Sequence, residues 1–365
     1  MSDIQQRVQR AIDRMVESGA ERGVQVAVYL HGEQLVDAVA GIADPATGRP
    51  VTPGSVFYNY SIGKAATATV VHVLAERGAF SYDTRVAELW PEFAAHGKGA
   101  ATVRHVLTHA AGVPGVPAET TVADLCDWDK MCAAIADAEP WWEPGAAVGY
   151  HAYTFGYILG EIVRRATGKP ISQVLREEVT GPLGVADELY FGMPAAEHGR
   201  LARLEDPEGA GEMMAGLPAD SPMFRAGPPA TFPSAALGNR EDVLEADIPA
   251  GGKTSARAIA RMYAALLGDV PGTRLISPER LREVTAVTTE GIDQVFGNPV
   301  TWGLGFSIGL PGAAEPVTSA FGMGGAGGSF AYGDTAGGIA FAVTKNRLTP
   351  DFSAATELIG IVTKG

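Results

Sequence analysis

The chain has 365 residues, 46% of them hydrophobic and 19% charged, so it can bury a large core as one big domain or two smaller ones. Its formal net charge of −14 argues against a nucleic-acid partner or an anionic membrane surface, because both require a basic patch. No uninterrupted apolar run approaches the roughly 18 residues needed to span a bilayer. The only cysteines, Cys126 and Cys132, are too few for a disulfide framework and indicate reduced thiols.

The N-terminus lacks the apolar core of a secretion signal. Its apolar residues instead recur at helical spacing and predict an amphipathic helix with one apolar face, formed by Ile4, Val8, Ile12, Met15 and Val16. Together with the reduced cysteines, this start predicts a cytoplasmic protein with no membrane partner.

Strand signals stand at both ends of the chain. The alternation of Val24, Val26 and Val28 predicts a half-buried strand, and a second strand is expected over residues 34–39. Near the C-terminus, residues 339–344 again have strand character. Because helical patterns fill the middle, the sequence predicts one sheet built from both ends with a helical region inserted as a second lobe.

We therefore predict an α/β lobe from residues 1–60 and 251–365 and a helical lobe from residues 61–250. Within the latter, residues 192–250 are rich in Pro, Gly and Met. A segment of that length predicts a folded binding excursion rather than a linker.

The segment around Ser61 is the most informative. Strand-like residues 56–58 run into Ser61, and a helix-forming segment follows, so Ser61 and Lys64 lie one helical turn apart. A serine hydroxyl needs an adjacent base, and a lysine can be that base if burial lowers its pKa. Taken alone, the pattern also fits a helix-capping serine beside a solvated lysine.

Three other patterns resemble parts of known sites but do not satisfy them. Gly251–Thr254 resembles the end of a phosphate-binding loop, yet Asp247 stands at the place of the first glycine. Lys253–Ser255 is predicted to open a helix rather than a strand. His105 and His109 have a spacing found in zinc sites, but no glutamate follows His105. No metal or cofactor is predicted.

Several motifs occur together in one order: Phe57–Lys64, Thr102–Gly112, Glu143–Tyr150, Thr301–Phe306 and Phe321–Ser329. This series resembles the serine β-lactamases and penicillin-binding proteins, specifically their class C-like esterase and acyltransferase branch, from about residue 10 to residue 360. The resemblance implies an α+β, β-lactamase/transpeptidase-like fold. In it an antiparallel sheet is flanked by helices, a mostly helical lobe is inserted, and the active site lies between the lobes.

The resemblance also assigns catalytic roles. Ser61 would be the acylated nucleophile and Lys64 its buried proton partner. Tyr150 would relay the proton to the leaving group, with its phenolate stabilised by the Lys64 ammonium. The backbone N–H groups of Ser61 and Ala326 would form the oxyanion hole.

The chain departs from the family pattern at two places. Ala152 stands where lactamases have an asparagine, and Met323, Gly324 and Gly325 stand where a third motif usually begins with lysine or histidine. A thioether cannot pair with a substrate carboxylate. Both changes argue against β-lactam or D-Ala-D-Ala substrates and favour a neutral, more apolar acyl donor.

Other residues near these motifs are candidate substrate contacts. His151, beside Tyr150, is predicted to face either the cleft or the surface. Trp141 and Trp142 are predicted either to line an acyl pocket or to pack the lobe interface.

The predicted function is a serine hydrolase that acts on a small ester or activated amide through an acyl-Ser61 intermediate. One alternative is an acyltransferase that passes the acyl group to an alcohol or amine. Another is a non-catalytic binding protein on the same fold. β-Lactamase activity would require another cation in the cleft, such as Arg225 or Lys345.

Overall fold

The computed structural model describes residues 3–216, 218, 220–268 and 270–363. The side chains of Met213 and Met214, which belong to the predicted excursion, lie outside the described residues, as do residues 1, 2, 364 and 365 of the predicted α/β lobe. The boundaries of those lobes stay predictions.

Thirteen strands are formed by the described residues: β1 (Gly23–Leu30), β2 (Glu33–Asp44), β3 (Arg49–Pro50), β4 (Val56–Tyr58), β5 (Leu189–Tyr190), β6 (Leu201–Ala202), β7 (Lys253–Thr254), β8 (Thr289–Ile292), β9 (Pro299–Trp302), β10 (Ser307–Ile308), β11 (Ala320–Gly324), β12 (Phe330–Asp334) and β13 (Ile339–Lys345).

The helices of the same residues are α1 (Asp3–Glu17), α2 (Gly63–Glu76), α3 (Val86–Leu89), α4 (Val103–Leu107), α5 (Val122–Leu125), α6 (Trp128–Ala136), α7 (Thr154–Thr167), α8 (Ile171–Leu175), α9 (Ala210–Ala215), α10 (Pro222–Ala226), α11 (Ala235–Gly238), α12 (Glu241–Glu245), α13 (Ala256–Leu267), α14 (Pro278–Thr285) and α15 (Ser353–Thr363). None of these helices is both long enough and apolar enough to cross a membrane.

The larger sheet is antiparallel and joins the two ends of the chain. Its order is β3-β2-β1-β13-β12-β11-β10-β9-β8, and Val26 of β1 pairs with Ala38 on one side and Val343 on the other. The predicted fold class, an α+β arrangement with one antiparallel sheet built from both ends, is confirmed.

The first strand is buried on both faces, so the prediction of a half-buried strand is wrong. Val24, Val26 and Val28 belong to a core cluster with residues of α1 and α15, whereas Ala27 and Tyr29 belong to the main core. The helix α13 packs on that second face of β1. Alternate side chains of a strand point to opposite faces, and here both faces are covered by helices.

A second sheet, with the order β5-β7-β4-β6, was not predicted from the sequence. Its strands are only two or three residues long, too short for periodicity to reveal them. Lys253 and Thr254 form β7, and the Ser255 side chain caps α13 by accepting from Ala258 N. The prediction that Lys253–Ser255 opens a helix rather than a strand is therefore correct only for its last residue.

The described residues of the predicted excursion over 192–250 form regular structure, while its role in binding stays a prediction. The excursion contains the short helices α9 to α12 and a 3-10 turn at Pro229–Thr231. Backbone hydrogen bonds join it to the rest of the protein: Arg203 N donates to Ala43 O at 2.7 Å, and Val116 N donates to Ala226 O at 3.0 Å.

Candidate active site

Ser61 lies in a 3-10 turn, Tyr60–Ile62, between β4 and α2. The preceding residue, Tyr60, has a φ of 45°, which is costly for a residue that carries a Cβ. Hydrogen bonds hold it there: Gly252 N donates to Tyr60 O at 2.9 Å, and Ser234 N donates to the Tyr60 hydroxyl at 3.0 Å. The turn places half-buried Ser61 at the N-terminal end of α2, where the helix dipole favours negative charge.

Lys64 is 1% exposed and reaches back toward this serine. Its Nζ lies 3.1 Å from Ser61 Oγ and 3.2 Å from Ala250 O. Burial lowers the pKa of Lys64 to about 7. A substantial fraction of the amine is therefore neutral near neutral pH and can accept the Ser61 proton.

The close approach of the Gly251–Gly252 segment to α2 depends on Gly63. A Cβ at Gly63 would lie 2.2 Å from Gly252 N and 2.3 Å from the carbonyl carbon of Gly251. The same segment brings Ala250 O to Lys64. The glycine pair that resembles part of a phosphate-binding loop is thus a backbone contact behind the nucleophile.

Tyr150 lies in a loop without regular secondary structure, against the same lysine. Lys64 Nζ is 4.8 Å from the centroid of its ring, and the His109 ring stands 4.7 Å from it. His109 Nδ1 accepts from His151 N at 3.0 Å, so this buried histidine is bonded to the backbone next to Tyr150.

The ionisation of Tyr150 differs from the expectation. Burial raises the pKa of the phenol, and the charge of Asp293 acts in the same direction, while a hydrogen bond with Ser61 opposes them. Because the pKa of Lys64 is lowered, the resting site holds a neutral phenol beside an amine that loses its proton readily. Burial thus favours a neutral phenol over the predicted phenolate in the resting state, and the roles of Lys64 as base and Tyr150 as acid stay predictions.

The end of β11 closes the site opposite α2. A Cβ at Gly325 would lie 2.1 Å from Asn59 O, so only a glycine lets this strand end approach the backbone before Ser61. Ala326 follows at the surface of the same cavity that Ser61 lines. This placement agrees with a pair of N–H groups from Ser61 and Ala326, whose role as an oxyanion hole stays a prediction.

The cavity at Ser61 measures about 720 Å³ and is mostly apolar. It lies between the turn of Ser61, the loop of Tyr150, the segment 223–233, the turn 295–298 and the segments 324–328 and 349–352. Apart from Ser61, Lys64, Tyr150, Ala152 and Ala326, the lining comes from Tyr58, Tyr60, Tyr153, Met223, Ala226, Gly227, Thr231, Phe232, Pro233, Ala250, Gly251, Val295, Phe296, Asn298, Gly324, Gly325, Gly327, Gly328, Thr349, Pro350 and Phe352.

His151, predicted to face the cleft or the surface, does neither. It is 0% exposed; its Nδ1 lies 2.7 Å from Gly149 O, and its Nε2 accepts from Val113 N at 3.2 Å. Both ring nitrogens are used to join two loops, so the side chain is not available to a substrate.

Met323 also points away from the cavity, although its neighbours Gly324 and Gly325 line it. Its side chain is 2% exposed and belongs to the main hydrophobic core. Since successive side chains of a strand face opposite sides, Met323 of β11 packs inward where Gly324 borders the cavity.

The two tryptophans pack rather than line the cavity. The Arg225 guanidinium lies 4.0 Å from the centroid of the Trp141 ring. Trp142 donates to Ala110 O at 3.4 Å and closely covers Gly149. Of the two roles considered for this pair, the structure shows packing.

Arg225 and Lys345, the two side chains that could have supplied a cation to the cleft, both interact with other residues. Lys345 is 2% exposed; it forms an ion pair with Glu21 and donates to Thr349 Oγ1 at 2.7 Å. Arg225 is stacked on Trp141. Neither cation is among the residues that line the cavity.

Several lining residues were not identified from the sequence. Tyr58 and Tyr60 stand within the nucleophile motif itself, and Tyr153 follows the tyrosine motif, so their nearness in sequence was an available signal. Phe296 carries no such signal because its turn reaches the cavity only through the pairing of β8 with β9.

Comparison with known proteins agrees with this geometry. The family model described as Beta-lactamase matches residues 8–364. The esterase/beta-lactamase LipL of Mycobacterium tuberculosis is 36% identical over 355 residues, which cover 93% of this chain and 81% of LipL. A family VIII carboxylesterase structure has a TM-score of 0.89 at 33% identity and covers 100% of this chain and 98% of its own. A penicillin-binding protein homologue from Caulobacter crescentus has a TM-score of 0.85 at 33% identity, covering 100% and 98%.

The fold is of the β-lactamase/transpeptidase type, and its relatives and structural neighbours are esterases and penicillin-binding proteins. The chain belongs to the β-lactamase family. The predicted class, a β-lactamase-like serine esterase, is confirmed by these relatives and structures.

Proposed function

We propose that this protein hydrolyses small, uncharged carboxylic esters through a covalent acyl-Ser61 intermediate. The observation that carries the proposal is the buried contact of 3.1 Å between Lys64 Nζ and Ser61 Oγ. It provides a nucleophile with a base whose pKa is about 7, at the wall of an apolar cavity.

In the first half of the reaction, Lys64 accepts the Ser61 proton while Oγ attacks the ester carbonyl. The negative charge that develops on the carbonyl oxygen is held by the backbone N–H groups of Ser61 and Ala326. Tyr150 donates its proton to the departing alkoxide, and the lysine returns the serine proton to the phenol. The products of this half are an alcohol and an acyl-Ser61 ester.

In the second half, a water molecule takes the place of the alcohol. Its proton passes to the same lysine and tyrosine pair, and the carboxylic acid leaves as Ser61 Oγ is reprotonated. The neutral phenol of Tyr150 suits the acid role, because its raised pKa keeps a proton available for the leaving oxygen.

The charge distribution of the cavity supports an uncharged substrate. Among the described residues that line it, Lys64 is the one with an ionisable basic side chain, and this lysine is occupied by the chemistry. A carboxylate on the substrate would be desolvated without a fixed cation. A β-lactam or a D-Ala-D-Ala peptide carries such a carboxylate, so these substrates are disfavoured.

Acyl transfer is a second candidate, supported by the size of the cavity. A volume of about 720 Å³ leaves room beside a small acyl group for an alcohol or amine. Such an acceptor would attack acyl-Ser61 in place of water, with the same proton transfers. A cytoplasmic location is a further part of the proposal, based on Cys126 and Cys132, which are both free thiols.

The test is intact-protein mass spectrometry after mixing with a series of p-nitrophenyl esters and with a fluorophosphonate. We expect an adduct on the wild type and none on Ser61→Ala. Decay of the acyl adduct in water alone indicates a hydrolase, and faster decay with added alcohols or amines indicates a transferase. No adduct with any reagent would overturn the covalent mechanism in favour of a non-catalytic binding protein.

A further inference from the structure

A buried carboxylate that the mechanism above does not use lies behind Tyr150. Asp293 is 2% exposed, although carboxylates are rarely buried without a partner cation. Its Oδ1 accepts from Val295 N at 2.8 Å and from Phe296 N at 2.9 Å. Its Oδ2 is buried and has no partner at full hydrogen-bond geometry. The Tyr150 backbone N–H nevertheless faces the carboxylate.

The hydrogen bonds of Asp293 shape the turn that forms one wall of the cavity. Asp293 N donates to Asn298 O at 2.9 Å, and Gly297 N donates to Asp293 O at 2.8 Å, so the turn 293–298 is closed on itself. Val295, Phe296 and Asn298 of this turn line the cavity.

The same turn is fastened to the loop that carries the catalytic tyrosine. Gln294 N donates to Val148 O at 2.9 Å, two residues before Tyr150. The rings of Tyr150 and Phe296 are 5.6 Å apart. One carboxylate therefore organises both a cavity wall and the backbone around Tyr150.

We propose that Asp293 is a positioning residue for the reaction, which locks the turn 293–298 to the Tyr150 loop and holds the phenol beside Ser61 and Lys64 as a proton donor. This inference rests on the proposed function, because it assumes the acid role of Tyr150. It assigns Asp293 a role through Tyr150 and no contact with substrate.

The electrostatics of the site agree with that role. The groups that face Tyr150 are Lys64 from α2, His109 from the loop after α4, and Asp293 from the turn after β8. Burial lowers the pKa of His109 well below its usual value, and that of His151 behind it to about 4, so both rings are neutral. Asp293 is then the negative charge that disfavours the phenolate.

The decisive variant is Asp293→Asn, which keeps an oxygen acceptor for the turn but removes the charge. Asp334→Asn is the matched control, because Asp334 also accepts from two backbone N–H groups, of Ala336 and Gly337, in the turn between β12 and β13. For Asp293→Asn we expect kcat/KM for a p-nitrophenyl ester to fall about tenfold. We also expect the alkaline limb of its pH profile to move to lower pH, because the charge of Asp293 raises the pKa of Tyr150. Asp334→Asn should match the wild type in both.

An unchanged kcat/KM and pH profile in a folded Asp293→Asn variant would overturn the proposal. If that variant does not fold, Asp293→Ser retains a turn-forming acceptor without charge and must show the same shift. Failure of the proposed function is distinct, because the wild type itself would then form no Ser61 adduct with the fluorophosphonate.

Discussion

Lys64 Nζ lies over the face of the Tyr150 ring, 4.8 Å from its centroid, so that a buried lysine and a half-buried tyrosine meet beside Ser61. Burial changes their pKa values in opposite senses, because it disfavours the charged form of each. The charged forms of both side chains, the ammonium and the phenolate, are therefore destabilised. In the resting site a neutral phenol lies beside an amine whose pKa is lowered. The first prediction follows from this ionisation state.

The rate of acylation should depend on the ionisation of Lys64. Below its pKa of about 7 the lysine is protonated and cannot accept the Ser61 proton; above that pH it is free to do so. We expect kcat/KM for a neutral ester to rise tenfold per pH unit below about pH 7 and to level off above it. The measurement is a pH–rate profile between pH 5 and pH 9 with an uncharged p-nitrophenyl ester. A flat profile would remove Lys64 from the role of base.

Lys64 should also lower the stability of the folded protein. Its pKa is about 7 when folded, whereas an unfolded lysine titrates at ~10.4. Between these pH values the unfolded chain binds a proton that the folded chain does not. The free energy of unfolding of the wild type therefore falls as the pH is lowered through this range and is fully reduced below about 7.

We accordingly expect Lys64→Met to be more stable than the wild type by a few kcal/mol near pH 7, with a gain that shrinks toward pH 10. Denaturant unfolding at several pH values measures this difference. Ser61→Ala is the control, since it is inactive but keeps the lysine and should keep the wild-type pH dependence. A gain that is the same at every pH would show that the lysine titrates normally.

Gly63 should not tolerate even one methyl group. Its Cβ would meet the backbone of Gly251 and Gly252 at 2.2–2.3 Å, so either α2 or that segment must shift. We expect Gly63→Ala to lose about 1–3 kcal/mol of stability and most esterase activity, because the displaced turn carries Ser61. Gly360→Ala is the matched control: Gly360 lies in α15 with nothing near its Cβ position, and alanine there should add roughly 0.5–1 kcal/mol. Equal effects of the two changes would contradict the close approach at Gly63.

Phe296 should select substrates at the mouth of the cavity. It is 52% exposed, yet it lines the cavity and touches Tyr150. We expect Phe296→Ala to raise KM for aryl esters about fivefold through loss of ring contacts, with a smaller effect on methyl esters. Ile292→Ala is matched to it, because Ile292 is 53% exposed and lies outside that cavity. The measurement is a KM series for esters of increasing alcohol size; a uniform change for all of them would argue against a subsite at Phe296.

The amino-acid sequence was sufficient where chemistry depends on local spacing. Ser61 and Lys64 are one helical turn apart, so their contact follows from the helix alone. Strand patterns at both ends of the chain likewise predicted the antiparallel sheet of β1, β2 and β13, because each pattern is set by local periodicity. The order and spacing of the motifs carried the family resemblance that the comparisons confirm.

Tertiary structure decided which side chains face the substrate and in which ionisation state. The inward packing of Met323 and the hydrogen bond from Val113 N to His151 Nε2 depend on neighbours distant in sequence, as does the ion pair that occupies Lys345. The pKa values of Lys64 and Tyr150 follow from burial, which is a property of the assembled core. Motif spacing predicted the pair of Ser61 and Lys64, whereas long-range packing determined the shape and charge of the cavity around them and the protonation of its side chains.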